Sequence, residues 1–273
     1  MKEVKQNKLK EEKILNFLKN DEDISWELSI FEEIGSTNDY LLENSKKNKI
    51  SICLTESQTK GRGRNSKEWQ SPKYENIYMS ISFSTNQDLK FFSSFSLVTA
   101  LSVYKALTKH KFDTKIKWPN DIYINSKKVG GILIETISKD KNNIVVVGIG
   151  LNVFMKSNSK IDREWTSLIL ENESMFIDRN KIISDIVNEL LVDKKTFEEK
   201  GFAVFSNKFN ELNILKNKKV SLSNFDCEEG TALDINLDGT LNVKVGERIK
   251  KISSGEVSLY CLLYTSPSPR DTG

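Results

Sequence analysis

Alternating apolar residues in the middle of the chain constrain the fold most strongly. Between residues 76 and 84, Ile77, Met79, Ile81 and Phe83 recur at every second position, which is the period of a β-strand. Pro119 interrupts another strand, because proline lacks an amide donor. Further strands are predicted at 26–34, 50–58, 115–124, 127–135 and 143–153. Helices are predicted after a turn at 35–39 and at 89–109 and 181–195.

The predicted strands become shorter near residue 216. Segments 219–222, 230–236, 243–245 and 256–259 have the size and rhythm of a small barrel, and Asp238-Gly239 is a favoured hairpin turn. The run from 261 to 273 resembles the conceptual translation of a sequencing adapter, so we expect it to be non-native and the native C-terminus to differ beyond Tyr260. The predicted organisation is an N-terminal helical extension at 1–24, a main domain at 25–212, a barrel at 213–260 and a tail at 261–273.

Charge and length exclude several classes of protein. The 41 basic and 38 acidic residues give a net charge of +3, which makes no case for nucleic acid or a membrane surface as a partner. Apolar runs look too short for a membrane span, and residues 1–13 are too charged for a secretory signal. The single helix predicted before the first strand leaves no room for a winged helix-turn-helix.

The cysteines and the histidine narrow the chemistry further. Cys53, Cys227 and Cys261 have neither metal-ligand spacing nor the pattern of a disulfide framework, so we expect a cytoplasmic protein with reduced thiols. His110 is the single histidine, which argues against a Ser-His-Asp triad or an HExxH zinc site. It follows a helical run, and we expect it at a helix end on the surface.

The segment from 61 to 72 is the strongest candidate for a ligand-binding loop. Gly61 and Gly63 leave the backbone free, and Arg62 and Arg64 offer planar forks that suit phosphate or carboxylate oxygens. Trp69 adds a flat apolar surface. A solvated basic loop is the bland alternative, and the rest of the sequence argues against it.

Glycine pairs recur on the predicted strands, beside cationic or polar residues. The pairs at 61/63, 130/131 and 148/150 suggest backbone that lines a ligand, although neither the Rossmann nor the Walker glycine pattern occurs. Nearby cations are in a position to hold a triphosphate and a carboxylate together, offsetting their repulsion. These cations are Arg62, Arg64, Lys67, Lys117 and Lys128.

Asp121 is the best-placed acid, because it follows the rigid Trp-Pro-Asn segment. It is a candidate ligand for Mg²⁺, possibly through water, or a candidate base for an incoming amine. A turn cap is the structural alternative for this residue.

Taken in order, the motifs resemble those of biotin protein ligases over about residues 26–260. The matching motifs are Gly35-Ser36-Thr37-Asn38, Gln58 with Gly61-Arg62-Gly63-Arg64, Trp69-x-Ser71-Pro72, Asn76-Ile77-Tyr78-x-Ser80, Lys117-Trp118-Pro119-Asn120-Asp121, Lys128-Val129-Gly130-Gly131-Ile132-Leu133-x-Glu135 and Gly148-Ile149-Gly150-x-Asn152. Each motif alone is weak, whereas the ordered set is highly specific.

The resemblance implies an α+β fold in which helices back a mixed β-sheet, as in class II synthetases, with a small SH3-like barrel at the C-terminus. It implies that biotin and ATP form biotinyl-5'-AMP, and that a lysine of a biotin carboxyl carrier protein then accepts the biotin. A possible homodimer belongs to the same expectation, as does Mg²⁺.

The resemblance also assigns residues. Catalytic roles fall to Lys128, Arg64 and Asp121. Biotin contacts fall to Ser36, Thr37, Asn38, Gln58, Gly61, Arg62, Gly63, Gly131 and Gly148. ATP contacts fall to Arg62, Arg64, Trp69, Lys117, Asn120, Lys128, Gly150 and Asn152, with loop packing as the alternative for Trp69.

Three departures from the family pattern stand out. Lys67 replaces an arginine, the 73–75 turn lacks a common glycine, and no repressor domain precedes the first strand. The nearest alternative is a lipoate or octanoate ligase or transferase of the same superfamily, which lacks the GRGR…W-x-SP run. A biotin-sensing transcription regulator and a degenerate ligase that only binds partners are further alternatives.

Overall fold

The computed structural model describes residues 8–19, 25–139, 142–158, 160–161, 164–222, 228–253 and 257–259. Cys227, Cys261, the predicted tail at 261–273 and both ends of the predicted extension at 1–24 lie outside these described residues.

Six α-helices and twelve β-strands make up the described secondary structure. The helices are α1 (Glu11–Phe17), α2 (Thr37–Asn44), α3 (Phe95–Lys109), α4 (Leu168–Glu171), α5 (Arg179–Lys200) and α6 (Ala203–Leu212). The strands of the main sheet are β1 (Trp26–Phe31), β2 (Ile50–Thr55), β3 (Asn76–Thr85), β4 (Lys115–Lys117), β5 (Asp121–Ile124), β6 (Lys127–Lys139) and β7 (Asn142–Asn152). The strands of the second sheet are β8 (Lys219–Leu222), β9 (Glu228–Ile235), β10 (Leu241–Val245), β11 (Arg248–Ile252) and β12 (Val257–Leu259).

The main sheet has seven strands in the order β1-β2-β3-β7-β6-β5-β4. Strands β1 and β2 run parallel and the remaining neighbours antiparallel, so the sheet is mixed as the sequence predicts. The alternation in β3 has the predicted consequence. Its apolar residues enter the main core, whereas Ser80 and Ser82 are buried polar residues between them.

Helices α3 and α5 pack together in the core. Leu97, Leu101 and Leu107 of α3 are buried as predicted, but the segment begins with a 3-10 turn at Leu89–Ser94. Among the described residues, Leu89–Lys109 is long and apolar enough to cross a membrane, contrary to the expectation from run length. Because 67% of its most apolar window is buried inside the protein, this finding is weak evidence for a membrane span.

Three helices differ from prediction. Helix α5 extends beyond the expected 181–195 at both ends, and the sequence did not predict α4 or α6. The signal for α6 was present in the spacing of Phe205, Phe209 and Leu212, all buried in the structure. His110 does follow a helix, but it is not a free surface residue, because its Nε2 lies 3.0 Å from Asp185 Oδ2.

The segment at 115–124 is a hairpin rather than one interrupted strand, which corrects the sequence prediction. Strands β4 and β5 run antiparallel, so Lys117 lies opposite Asp121. The physical reason is the turn at 118–120, where proline cannot continue the ladder and Asn120 N donates to Lys117 O at 3.2 Å. The hairpin thus brings a cation and an acid to the same edge.

The five short strands form a second sheet in the order β11-β10-β9-β8-β12, which agrees with the predicted barrel. Its Asp238-Gly239 turn contacts residues of the main domain, at Ser94 and Trp118. The Trp118 indole Nε1 donates to Gly239 O at 3.0 Å, and a Cβ on Gly239 would lie 2.5 Å from Ser94 Cβ. Gly239 has φ +85°, so the turn requires glycine for both conformation and space.

Candidate active site

A cavity of about 570 Å³ opens on the main sheet, and it gathers nearly all the residues that the sequence singled out. The predicted residues that line it are Ser36, Thr37, Asn38, Gln58, Arg62, Gly63, Arg64, Trp69, Lys117, Asn120, Asp121, Lys128, Gly131, Gly148, Gly150 and Asn152. Gly61 and Gly130 are the exceptions. Both are buried, and a Cβ would lie 2.7 Å from Trp69 O at Gly61 and 2.9 Å from Gly150 O at Gly130, so their small size serves packing.

One part of the cavity is a cluster of neutral hydrogen-bonding groups at the start of α2. Ser36 caps this helix by accepting from Asp39 N. The Thr37 amide and hydroxyl both donate to Gln58 Oε1, at 3.0 and 3.2 Å. The Ser80 hydroxyl lies 2.7 Å from Thr37 Oγ1. These contacts hold short polar side chains in fixed positions. A cluster of this kind is suited to bind an uncharged polar group of a ligand.

Asn38 reaches the floor of the cavity because Gly148 has no side chain. A Cβ at Gly148 would lie only 2.4 Å from Asn38 Oδ1. The same amide oxygen accepts from Ser80 Oγ at 2.5 Å, and Asn38 Nδ2 donates to Glu135 Oε2 at 2.7 Å. Strand β7 therefore needs glycine at 148 to admit this side chain.

The Trp69 indole lies against Gly150, two residues further along β7. A Cβ at Gly150 would lie 2.5 Å from Trp69 Cε2, so close approach of the ring requires glycine here. Because β-strand residues two apart share a face and lie about 7 Å apart, Asn38 and Trp69 occupy successive places on that face. The buried Trp69 Nε1 has no hydrogen-bond partner within the described part of the chain.

Lys128 and Asp121 form an ion pair in the cavity wall. Lys128 Nζ donates to Asp121 Oδ1 at 2.6 Å and lies 5.4 Å from the centroid of the Trp69 ring. Their side chains are 13% and 17% exposed, so both are partly desolvated yet open to the cavity. The β4–β5 hairpin adds Lys117 to the same wall. This wall is suited to hold anions in a medium where fixed charges act strongly.

The basic loop folds over the cavity. Gly63 N donates to Lys67 O at 2.7 Å, and Trp69 N donates to Gly61 O at 2.9 Å, so the loop is a closed hairpin. Arg64 begins a 3-10 turn and lines the cavity. Arg62 lines the cavity as well, but its guanidinium donates to Asp39 and Glu135. The carboxylate of Asp39 raises the pKa of Arg62 above its ordinary value.

The part of the chain that supplies most of the cavity residues also matches a known protein family. Residues 30–152 match the biotin/lipoate A/B protein ligase family. The chain is 31% identical to the bifunctional ligase/repressor BirA of Escherichia coli (strain K12) over 238 residues, covering 85% of this chain and 74% of that protein. The chain belongs to the biotin/lipoate A/B protein ligase family.

Two further relatives of this family member sharpen the comparison. It is 28% identical to the biotin–[acetyl-CoA-carboxylase] ligase of Mycobacterium tuberculosis, over 85% of this chain and 88% of that one. Its fold matches that of the Aquifex aeolicus biotin protein ligase in complex with biotin and ATP, with a TM-score of 0.73 at 31% identity. The alignment covers 86% of this chain and 98% of that chain. The predicted family and fold class are confirmed.

Two asparagines of the ligase-family motifs are held by backbone contacts in this chain. Asn120 Nδ2 donates to Ile132 O at 2.8 Å, and Asn152 Nδ2 donates to Thr166 O at 3.0 Å. Each keeps its side-chain oxygen for other use, and both line the cavity. Their predicted nucleotide contacts remain predictions.

The metal hypothesis fits this ligase-family site only in a restricted form. Within the described residues, no group of three His, Cys, Asp or Glu side chains is close enough together to hold a metal ion. Asp121 is also occupied by Lys128. Mg²⁺ usually keeps several waters and binds through one or two carboxylates plus substrate phosphates. Asp121 alone fits that pattern, through water.

Several lining residues of the ligase-family cavity were not assigned a role from sequence. Tyr78 lies within a quoted motif, and its hydroxyl donates to Pro72 O at 2.9 Å while burial raises its pKa. Val257 brings the second sheet to the cavity, which no local pattern indicates. Two residues outside the cavity lining also lacked an assigned role: Glu135 lies in one of the matching motifs and Asp39 follows another, and both accept hydrogen bonds from Arg62.

Proposed function

We propose that this family member is an ATP-dependent biotin protein ligase. Biotin and ATP form biotinyl-5'-AMP with release of pyrophosphate, and a lysine of a biotin carboxyl carrier protein then takes the biotinyl group with release of AMP. The observation that carries the proposal is one cavity in which a neutral polar cluster and a cationic wall flank the same glycine-lined strand. Biotin has this division, with a neutral ureido ring at one end and a carboxylate at the other.

The neutral cluster is suited to the ureido ring. Thr37, Asn38 and Gln58 offer hydroxyl and amide groups held by neighbouring hydrogen bonds, so little entropy is lost on binding. Ser36 and the loop around Gly63 complete this wall. Strand β7 lines the cavity between this cluster and Lys128, with Asn38 packed over Gly148 and the Trp69 ring packed over Gly150.

Adenylation brings two anions together, and the cationic wall offsets their repulsion. A carboxylate oxygen of biotin attacks the α-phosphorus, and the bond to the β-phosphate oxygen breaks. Lys128 turns from Asp121 to the biotin carboxylate and the α-phosphate, stabilising negative charge as it shifts between oxygens. Arg64 and Lys117 hold phosphate oxygens. The Trp69 ring lines the same cavity and offers the nucleotide a flat apolar face.

Transfer needs an acceptor for a proton. The carrier lysine attacks the acyl carbon of biotinyl-5'-AMP, AMP leaves, and the amine proton passes to Asp121, which Lys128 has released. Mg²⁺ neutralises phosphate charge when bound, with Asp121 as a ligand through water. We further propose that the enzyme is cytoplasmic and does not bind nucleic acid, with a homodimer as the candidate assembly.

The decisive experiment supplies ATP, Mg²⁺, radiolabelled biotin and a carrier domain to the purified protein. Label on the carrier and release of pyrophosphate are the expected results, and Lys128→Ala and Arg64→Ala lose most of both. Absence of pyrophosphate release from the wild type contradicts the proposal.

A substrate panel addresses the nearest alternative. Lipoate and octanoate replace biotin under the same conditions, and a matching carrier domain is added to each. A neutral polar cluster of this kind disfavours an aliphatic or disulfide-bearing chain, because an apolar group displaces water from these polar groups without offering hydrogen bonds in return. Labelling by lipoate or octanoate at a rate comparable with biotin would favour that alternative.

A further inference from the structure

Two carboxylates hold the guanidinium fork of Arg62. Its Nη1 and Nη2 donate to the two oxygens of Asp39 at 2.9 and 2.6 Å, and Nη2 also lies 3.1 Å from Glu135 Oε1. The three side chains are 34%, 37% and 29% exposed. The bidentate geometry is the strongest that arginine makes with a carboxylate.

The partners of Arg62 come from separate parts of the fold. Asp39 lies in the first turn of α2 and Glu135 lies in the middle of β6, whereas Arg62 lies at the base of the basic loop. Arg62 also pairs with Glu68 in an isolated antiparallel bridge, which closes the loop hairpin at that point. The side chain therefore ties the base of the hairpin to a helix and a strand at once.

The contacts continue from Glu135 into the neutral cluster. Glu135 Oε2 accepts from Asn38 Nδ2 at 2.7 Å, and Asn38 in turn contacts Ser80 and lies over Gly148. The Glu135 carboxylate thus holds both Arg62 of the basic loop and Asn38 of the neutral cluster that is proposed to bind the ureido ring. Two negative charges around one cation also leave a local excess of negative charge, which disfavours a phosphate there.

From these contacts we infer that Arg62 is a positioning residue that anchors the basic loop beside the biotin end, rather than a ligand of phosphate. The inference replaces one assignment made from sequence and rests on the proposed function for its ligand. Asp39 and Glu135 belong to the same anchor, because they hold the Arg62 side chain in place. Loss of any one of the three should loosen the loop and weaken biotin binding, while ATP binding changes little.

Limited proteolysis tests the anchor without any reaction. Trypsin cuts after Arg64 and Lys67 when the loop opens, so cleavage should be about fivefold faster in Asp39→Asn and Glu135→Gln, as expected for a partly exposed ion pair. The matched control is Lys46→Gln, which removes the exposed ion pair between Lys46 and Glu27 outside the cavity. Unchanged cleavage in both carboxylate variants overturns the anchor.

Kinetics then separate positioning from phosphate binding. In Arg62→Gln, Asp39→Asn and Glu135→Gln, KM for biotin should rise about fivefold while KM for ATP stays within about twofold. Arg62→Lys should recover part of the loss, because it keeps the charge without the fork. A rise in KM for ATP alone in Arg62→Gln, with no effect of the carboxylate variants, contradicts the inference. Failure of the wild type to adenylate biotin sinks the proposed function, while the proteolysis result still decides the anchor.

Discussion

Two ion pairs in this protein have the same closest distance and opposite surroundings. Arg179 Nη1 lies 2.6 Å from Glu56 Oε2, and both side chains are 1% exposed. Lys128 Nζ lies 2.6 Å from Asp121 Oδ1, with exposures of 13% and 17%. Protein groups complete the first pair, since Leu9 N donates to Glu56 and Arg179 also donates to Asn76 O. The second pair faces the cavity.

The two pairs differ in whether another charged group can replace one of the partners. A buried pair with all its partners fixed holds α5, the end of β2 and the start of β3 together, and either charge becomes very costly when left alone. A pair in a cavity wall keeps a water-accessible side, so an incoming anion can replace the carboxylate. Burial thus assigns a structural role to one pair and allows a chemical role for the other.

The largest expected effect tests the buried pair. Arg179→Ala leaves Glu56 as an uncompensated buried charge, so the free energy of unfolding should fall by about 3–5 kcal/mol. Urea denaturation measures the loss. Lys208→Ala, which removes an exposed ion pair with Glu211, is the matched control and should change little. A loss in Arg179→Ala no larger than in this control would remove the contrast between the two regions.

The cavity pair should respond in rate rather than in stability. Lys128→Ala removes the cation that stabilises the shifting charge, so pyrophosphate release should slow by about 10²-fold, equivalent to about 3 kcal/mol. Urea denaturation of the same variant should stay close to wild type, because Asp121 can still be hydrated from the cavity. If Lys128→Ala unfolds as readily as Arg179→Ala, Lys128 belongs with the structural pair.

A smaller effect is expected at the acid of the cavity pair. Asp121→Asn keeps the shape and Lys128 but removes the proton acceptor, so transfer to the carrier should slow by about tenfold, or about 1.4 kcal/mol. Single-turnover assays that start from preformed biotinyl-5'-AMP isolate this step. Adenylation should be less affected than transfer, and the opposite order would assign Asp121 to the phosphates instead.

The smallest effect comes from an exposed ion pair, which extends the comparison to a third degree of burial. Lys8 hydrogen-bonds Glu32, and Tyr74 also donates to it; together they lower the pKa of Glu32 from 4.5 to about 2. Because the pKa of Glu32 is lower in the folded protein, its carboxylate stabilises the fold when the pH is above the ordinary pKa of 4.5. That contribution is lost as the pH falls from 4.5 toward 2.

Because solvent screens this pair, Glu32→Gln should cost no more than about 0.5 kcal/mol at pH 7. Urea denaturation at pH 7 and pH 3 compares wild type with the variant. The gap between them should shrink at the lower pH, since the Glu32 carboxylate of the unfolded chain is then largely protonated and this proton uptake favours unfolding. A gap that stays constant would show that the charge contributes nothing.

Local patterns predicted most of the sheet and the membership of the site. The alternation in β3 depends on residues within a few positions, and it appears as expected. The motifs that supplied the site residues are also local, and strand pairing then brings Gly131 opposite Gly150. Sequence reading therefore chose the right residues for the cavity, while the role of each one remains a prediction.

The sequence by itself determined which segments form strands, where glycines admit close neighbours and which side chains gather at the cavity. Only the tertiary structure decided that Arg62 is held by Asp39 and Glu135, that 115–124 folds back as a hairpin and that His110 meets Asp185. The physical reason is how far apart the interacting residues lie along the sequence. Strand period and helix caps depend on neighbouring residues, whereas an ion pair between residues 23 or 73 positions apart depends on the whole fold.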